Sequence, residues 1–406
     1  MRHLIGLVLG TEEDWPPAFE HLTARVGPIE WRGETHALTT ERVINEPFNL
    51  RYRPRYSLVL DRVGWWYLLP REWLKKVALM DDVYLLNNPF TFQSMEKHSA
   101  YCAMMRLGLK VPETWLIPHK QPPWNERFPT TAARYNALFD LDDIGTAVGY
   151  PLYLKPFDGG QWRGVTRASS REELRRRYDQ SGQQLMHVQS AVEEFDVFTR
   201  TLSIGAESMT MYFDPGKPLH DRYQVRHDFL STDEGNEVVT ISKIVNAFFR
   251  WEFNSCESLV RGGEVFPIDY ANASPDVALT SLHYYFPWAI TALVRWCAFC
   301  LADGRRMRID VDTRPWFAIA DRDDLSYEEK LAEYRRLADE HFQADDYAEF
   351  CAGPLRHLDE AAHEWFTCDE FDAVLVNTVR ATFPAFEHER FVAHYRGLLA
   401  AWASDA

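Results

Sequence analysis

The stretch YPLYLKPFDGGQWRGV, residues 150–165, decides how this chain is read. A short apolar run ends on Lys155, and glycines follow at positions 159, 160 and 164. The apolar run predicts a strand, and the glycines predict a loop whose backbone N–H groups are not shielded by side chains. Alone, the segment reads as a strand and a turn with a solvated lysine. A lysine beside a bare backbone loop is also half of a grip for phosphate, since both present donors to concentrated negative charge. The rest of the chain decides between the two.

Three further segments line up with it. Upstream, NNPFTFQSMEKHSAYCAMMRLGLKVPET (87–114) reads as a helix that bears Lys97 and ends at Gly108. Downstream, LMHVQSAVEE (185–194) is an apolar strand that runs into Gln189, Val192, Glu193 and Glu194, followed by FTRTLSIG (198–205) with Arg200. Last, CESLVRGGEVFPIDYANASP (256–275) reads as a hairpin turning at Gly262-Gly263. It sets Glu257 and Asp269 on adjacent strands, where two carboxylates are able to face one ion, and Asn272 adds a neutral oxygen.

In this order the four segments resemble the ATP-grasp superfamily, over roughly residues 85–280. The resemblance implies a fold of α/β and α+β parts: an N-terminal α/β domain (1–90), a first ATP-grasp lobe (91–190, with an insertion near 118–149), a second lobe with the metal site (191–320) and a helical C-terminal extension (321–406). It implies that ATP is held by Lys97, Lys155, Gly159 and Gly160, with Gln189 and Val192 at the adenine and Glu193 or Glu194 at the ribose. Magnesium, with manganese as the alternative, would sit on Glu257, Asp269 and Asn272. Arg200, Lys155 and Arg226 would steady the transferred phosphate. The family more often has Glu-x-Asn where this chain has Asp269-Tyr-Ala-Asn272, one residue longer, which a β-bulge is able to absorb.

The activity so implied is that of an ADP-forming carboxylate–amine ligase working through an acylphosphate on an amino acid or peptide-like substrate. Its partners would be small-molecule carboxylates and amines, and a homo-oligomer is compatible with it. Two alternatives share the motifs: a phosphotransferase on the same fold, and a nucleotide-binding regulatory protein without turnover.

Bulk properties agree. A length of 406 residues calls for more than one core, and the net charge of −16 argues against a nucleic-acid partner. No membrane partner is expected, because no apolar run approaches the roughly 20 residues of a span. The start, MRHLIGLVLGTEEDW, reads as a first strand rather than a signal peptide. Six cysteines without regular spacing fit a reducing compartment, and a cytoplasmic location is expected. WCAFC, with Cys297 and Cys300, falls within an apolar helical run and reads as packing.

Further expectations concern the elements. VVTISKIV (238–245) reads as a strand, which would put Lys243 and Arg250, with Arg226, on strands flooring the site. Residues 275–304 read as one long helix kinked at Pro287, and MRIDVDTRPWFAIAD (307–321) as a last strand or extended segment. Arg51, Arg53 and Arg55, alternating in an otherwise acidic chain, with Asp61 and Arg62 closing the next strand, are candidates to meet an anionic substrate.

Overall fold

The apolar run at the start forms β1 (Arg2–Val8), which lies in the middle of a parallel sheet. The computed structural model describes residues 1–91, 97–121, 125–135, 138–158, 160, 162–272 and 274–405. After β1 come α1 (Trp15–Val26), β2 (Ile29–Trp31), β3 (Glu34–Arg42), β4 (Leu58–Asp61), α2 (Leu68–Met80) and β5 (Tyr84–Leu86). The sheet order is β2-β3-β1-β4-β5; β3, β1, β4 and β5 run parallel, and β2 is a short antiparallel edge.

A second, antiparallel sheet follows. Its elements are α3 (Lys97–Arg106), β6 (Thr114–Ile117), α4 (Phe128–Tyr135), α5 (Leu141–Val148), β7 (Leu152–Pro156), β8 (Thr166–Ala168), α6 (Arg171–Ser181) and β9 (Met186–Ser190), with order β6-β9-β7-β8. It has its own small core of Leu152, Leu154, Val188, Ala168 and Leu174, closed by α5 and α6.

The third sheet, order β12-β11-β10-β13-β14, is built from β10 (Val197–Ile204), β11 (Glu207–Phe213), β12 (Tyr223–Gln224), α7 (Thr232–Phe249), β13 (Phe253–Arg261) and β14 (Glu264–Asp269). VVTISKIV lies inside α7 and is not a strand. A capping box starts this helix: the Ser231 side chain accepts from Glu234 N–H and the Glu234 carboxylate takes the Ser231 N–H. Val238, Ile241 and Val245 then follow the helical period. Lys243 consequently leaves the site and pairs with Asp339 at 2.8 Å, while Arg250 caps the helix end and donates to the Ala247 carbonyl.

The chain ends in helices: α8 (Leu279–Leu282), α9 (Phe286–Ala302), α10 (Arg314–Ala320), α11 (Tyr327–Phe342), α12 (Ala344–Ala352), α13 (Leu358–Phe366), α14 (Asp369–Thr382) and α15 (His388–Asp405). The expected long helix breaks at His283, whose φ is 38°, and not at Pro287, which sits in the first turn of α9 where its missing N–H is harmless. Residues 307–313 carry no strand, and most of the rest of that segment is α10. The segment Leu279–Ala302 is long and apolar enough to cross a membrane, but of its apolar 18-residue stretch, mean hydropathy 1.3, 89% is buried inside the fold. Cys297 and Cys300 are buried on it as packing residues. Its Trp296 lies against Gly205, where a Cβ would come within 1.9 Å of the indole and φ is +54°, so only glycine fits.

A buried acid joins the three regions. Glu252, just before β13, accepts from the Tyr84 hydroxyl of β5, from Trp296 Nε1 at 2.8 Å and from Arg305 at 3.2 Å. The N-terminal sheet, the third sheet and α9 meet on this one carboxylate.

Candidate active site

Strand register sets the centre of the site. On the third sheet Arg200 of β10 lies opposite Glu257 of β13, and Glu257 lies opposite Asp269 of β14. Directly opposed residues share a face, so the three side chains form one row across the sheet. Arg200 Nη1 meets Glu257 Oε1 at 3.2 Å, and its guanidinium lies over the rings of Phe213 and Tyr223.

The pairing holds because of a bulge. Ser258 pairs with Pro267 but Glu257 with Asp269, so Ile268 is the extra residue of β14. This bulge precedes Asp269, so the extra residue between Asp269 and Asn272 is a separate departure, left to the chain after β14. The bulge also has a use: the Ile268 carbonyl accepts from Lys155 Nζ at 3.2 Å and from the Tyr101 hydroxyl at 2.9 Å.

The second sheet supplies the opposing cations. Lys155, near the end of β7, gives a further hydrogen bond to Gln189 Oε1 at 2.6 Å. Gln189 Nε2 in turn donates to Thr114 Oγ1 at 2.8 Å, and that hydroxyl donates to the Pro112 carbonyl at 2.7 Å. This relay has one polarity: a hydroxyl whose proton is committed to Pro112 is an acceptor for the amide, which turns the amide oxygen to Lys155. Lys97, at the start of α3, reaches Asp269 at 2.9 Å. Lys155 of the second sheet and Lys97 of α3 therefore both meet the acidic strand of the third sheet.

Between them lies a cavity of about 30 Å³ lined by Lys97, Lys155, Asp158, Trp162, Glu257 and Asp269 among others. Small-molecule sites usually offer roughly 300 Å³ or more, so the turn bearing Trp162 covers the cleft tightly here. Trp162 reaches across to Phe198 on β10, with 6.2 Å between ring centroids.

Burial sets the electrostatics. It lowers the Lys155 ammonium to a pKa of about 8, partly offset by Asp269 and reinforced by Lys97. Burial raises the Glu257 carboxyl above its ordinary value, with Arg200 pulling it back and Asp269 adding to the rise. His187, opposite Lys155 in the register, is buried and lowered to about 3, first by burial and then by His98. It stays neutral beside the two lysines and packs the floor of β7.

The donor set fits a hard divalent cation. Glu257 and Asp269 offer two carboxylates on one sheet face, and Asn272 turns its amide oxygen toward Arg200 Nη2 and Ser255 Oγ, each at 3.1 Å, because a guanidinium can only donate.

The other expected residues fall in different places. Gly160 lines the cavity, and Gly159 lies outside the described residues. Val192 is partly buried against the main core, Glu193 pairs with Arg167, and Glu194 adopts a φ of 53° in the same connection. Gln189 is present at the site, but its oxygen holds Lys155. Arg226 follows β12 in an irregular segment, stacks on Tyr212 at 4.0 Å and does not line the cavity. Arg53 and Arg55 line a different cleft of about 670 Å³ beside α2, and Arg55 pairs there with Glu41.

Arg62, grouped from the sequence with these arginines, does not line the cavity either. Arg62 donates to the Pro275 carbonyl at 2.8 Å and pairs with Glu12 at 3.2 Å, while Ser274 Oγ donates to the Arg62 carbonyl. It ties the N-terminal sheet to the loop after Asn272. It stands immediately after a buried strand, at the carboxyl edge of a parallel sheet.

Neither a protein-family model nor a curated protein matches the sequence. Solved structures resemble it in fold. A RimK domain protein, ATP-grasp, from Sphaerobacter thermophilus aligns with a TM-score of 0.50 at 11% identity, over 74% of this chain and 98% of that one. D-cycloserine synthetase DcsG aligns at a TM-score of 0.49 and 16% identity, over 74% and 99% of the two chains. D-alanine–D-alanine ligase from Bacillus anthracis complexed with ATP gives 0.48 and 10%, over 85% and 99%. The assignment rests on the first of these and on the two antiparallel sheets facing each other across a lysine- and acid-lined cleft: the chain has the ATP-grasp fold.

Proposed function

We propose that the protein is an ATP-dependent carboxylate–amine ligase that forms an acylphosphate and releases ADP and phosphate. The observation that carries this reading is the convergence of Lys97 from α3, Lys155 from the second sheet, and Glu257 and Asp269 from the third on one cleft, with Arg200 paired to Glu257 behind them. Three cations and two acids suit a polyphosphate bound with a metal: the cations meet phosphate oxygens, and the acids meet the ion. Magnesium on Glu257, Asp269 and Asn272 would offset charge on the phosphates; manganese has the same oxygen preference.

Lys155, held by Gln189 and the Ile268 carbonyl, and Lys97 from α3 bind the phosphate chain. Arg200, fixed by Glu257, meets the charge that builds up on the phosphoryl group as a substrate carboxylate attacks it. An amine then displaces phosphate from the acylphosphate to give an amide. The acceptor would be an amino acid or peptide-like molecule.

The test is ADP release from ATP and magnesium with pooled amino acids, with and without a separate amine pool. Release that needs both pools supports the ligase. Release that needs only an acceptor, with no amide product, identifies a phosphotransferase instead.

A further inference from the structure

Helix α2 buries Pro70, Leu74, Val77 and Ala78 in the N-terminal domain. Its other side carries Leu68, Glu72, Lys75 and Leu79. Spacings of four, three and four residues place these side chains along one line of the helix. Leu68 is 70% exposed and Leu79 64%, and at the two ends Tyr67 and Met80 are 61% and 52% exposed. Glu72 and Lys75 pair at 2.8 Å in the middle of the line.

Single exposed apolar residues are ordinary on a protein surface. The order here is not random, because it is palindromic in character: apolar, charged, oppositely charged, apolar. Every pair shares one midpoint, between Trp73 and Leu74.

We infer that this face packs against α2 of a second copy of the chain, antiparallel, about a two-fold axis passing through that midpoint. Leu68 then meets Leu79 of the second copy and Glu72 meets Lys75, each contact occurring twice as a two-fold interface requires. A parallel pairing would set Glu72 against Glu72 and Lys75 against Lys75, so the charges select the antiparallel one. The stripe is neutral in itself. The repulsion between two chains of net charge −16 is screened beyond about 8 Å at physiological salt, so it does not oppose a contact made through this face. Trp66 and Leu69, both exposed beside the stripe, widen the apolar area around it.

The experiment is sedimentation velocity on the full chain at several concentrations, with circular dichroism as a check on folding. The wild type is expected to be a dimer. Leu79→Glu and Glu72→Lys should each weaken it by about 100-fold or more, as loss of a central contact does. The double variant Glu72→Lys with Lys75→Glu reverses both charges, keeps them complementary, and should restore the dimer. A wild type that remains monomeric, a dimer that survives Leu79→Glu, or a double variant no tighter than Glu72→Lys alone would each overturn the proposal.

Discussion

Lys155 shows how far single residues were legible. Its own stretch read as a turn with a solvated lysine, and only the order of motifs suggested phosphate contacts for Lys155 and Lys97, a place near the transferred phosphate for Arg200 and a metal for Glu257 and Asp269; the structure brings Lys97, Lys155, Glu257 and Asp269 to one cavity, with Arg200 paired to Glu257. Gln189 was placed at the site but with another partner, because its amide orientation depends on Thr114 and Pro112, far away in sequence. The state of Lys155 gives a pH prediction. Burial lowers its folded pKa to about 8 from an ordinary value of 10.5, so above pH 8 the free protein loses the charge that a phosphate needs. ATP affinity should therefore fall as pH rises through 8, and at pH 9 binding should take up a proton. Titration calorimetry in buffers of different ionisation enthalpy measures this. Lys155→Arg should remove the proton uptake; uptake that persists in that variant would assign it to another group.

Elements were legible where a local device starts or ends them and obscure where burial hides the period. The Gly262-Gly263 hairpin was read correctly, and both glycines have positive φ as the turn demands. VVTISKIV was misread because helix α7 is buried on most sides, so its apolar run resembles a buried strand; the Ser231–Glu234 capping box upstream was the available signal. A bulge was expected between Asp269 and Asn272, but the one observed lies before Asp269, at Ile268, and its carbonyl as a ligand for Lys155 depends on β7 of the other sheet. Gly205 tests the packing of α9 on β10. Gly205→Ala forces a methyl into the Trp296 indole at a positive φ, and together these should destabilise the protein by about 3 kcal/mol. A lower urea midpoint at unchanged slope would show it, and an unchanged midpoint would mean that α9 is able to shift away.

At the scale of the whole molecule, the fold class and the order of its parts followed from motif order, whereas the docking of the parts did not. Contacts such as Glu252 with Tyr84 and Trp296, or Arg62 with Pro275, join residues far apart in the chain and leave no local pattern. The C-terminal helices were readable as helices, but not as the shell that packs around α9 and α1. The second sheet keeps a core of its own, and the 30 Å³ cavity lies between it and the third sheet. The central claim is that this cleft grips ATP with a divalent cation. The most direct measurement is equilibrium binding of ATP to the full chain, with and without magnesium, for the wild type, Lys155→Ala and Asp269→Ala. The account predicts one site per chain. Lys155→Ala should weaken it by about 10- to 100-fold, the loss of one charged hydrogen bond to phosphate, and Asp269→Ala should remove the magnesium dependence. ATP binding that is absent in the wild type, or that keeps its affinity and magnesium dependence in both variants, would contradict it.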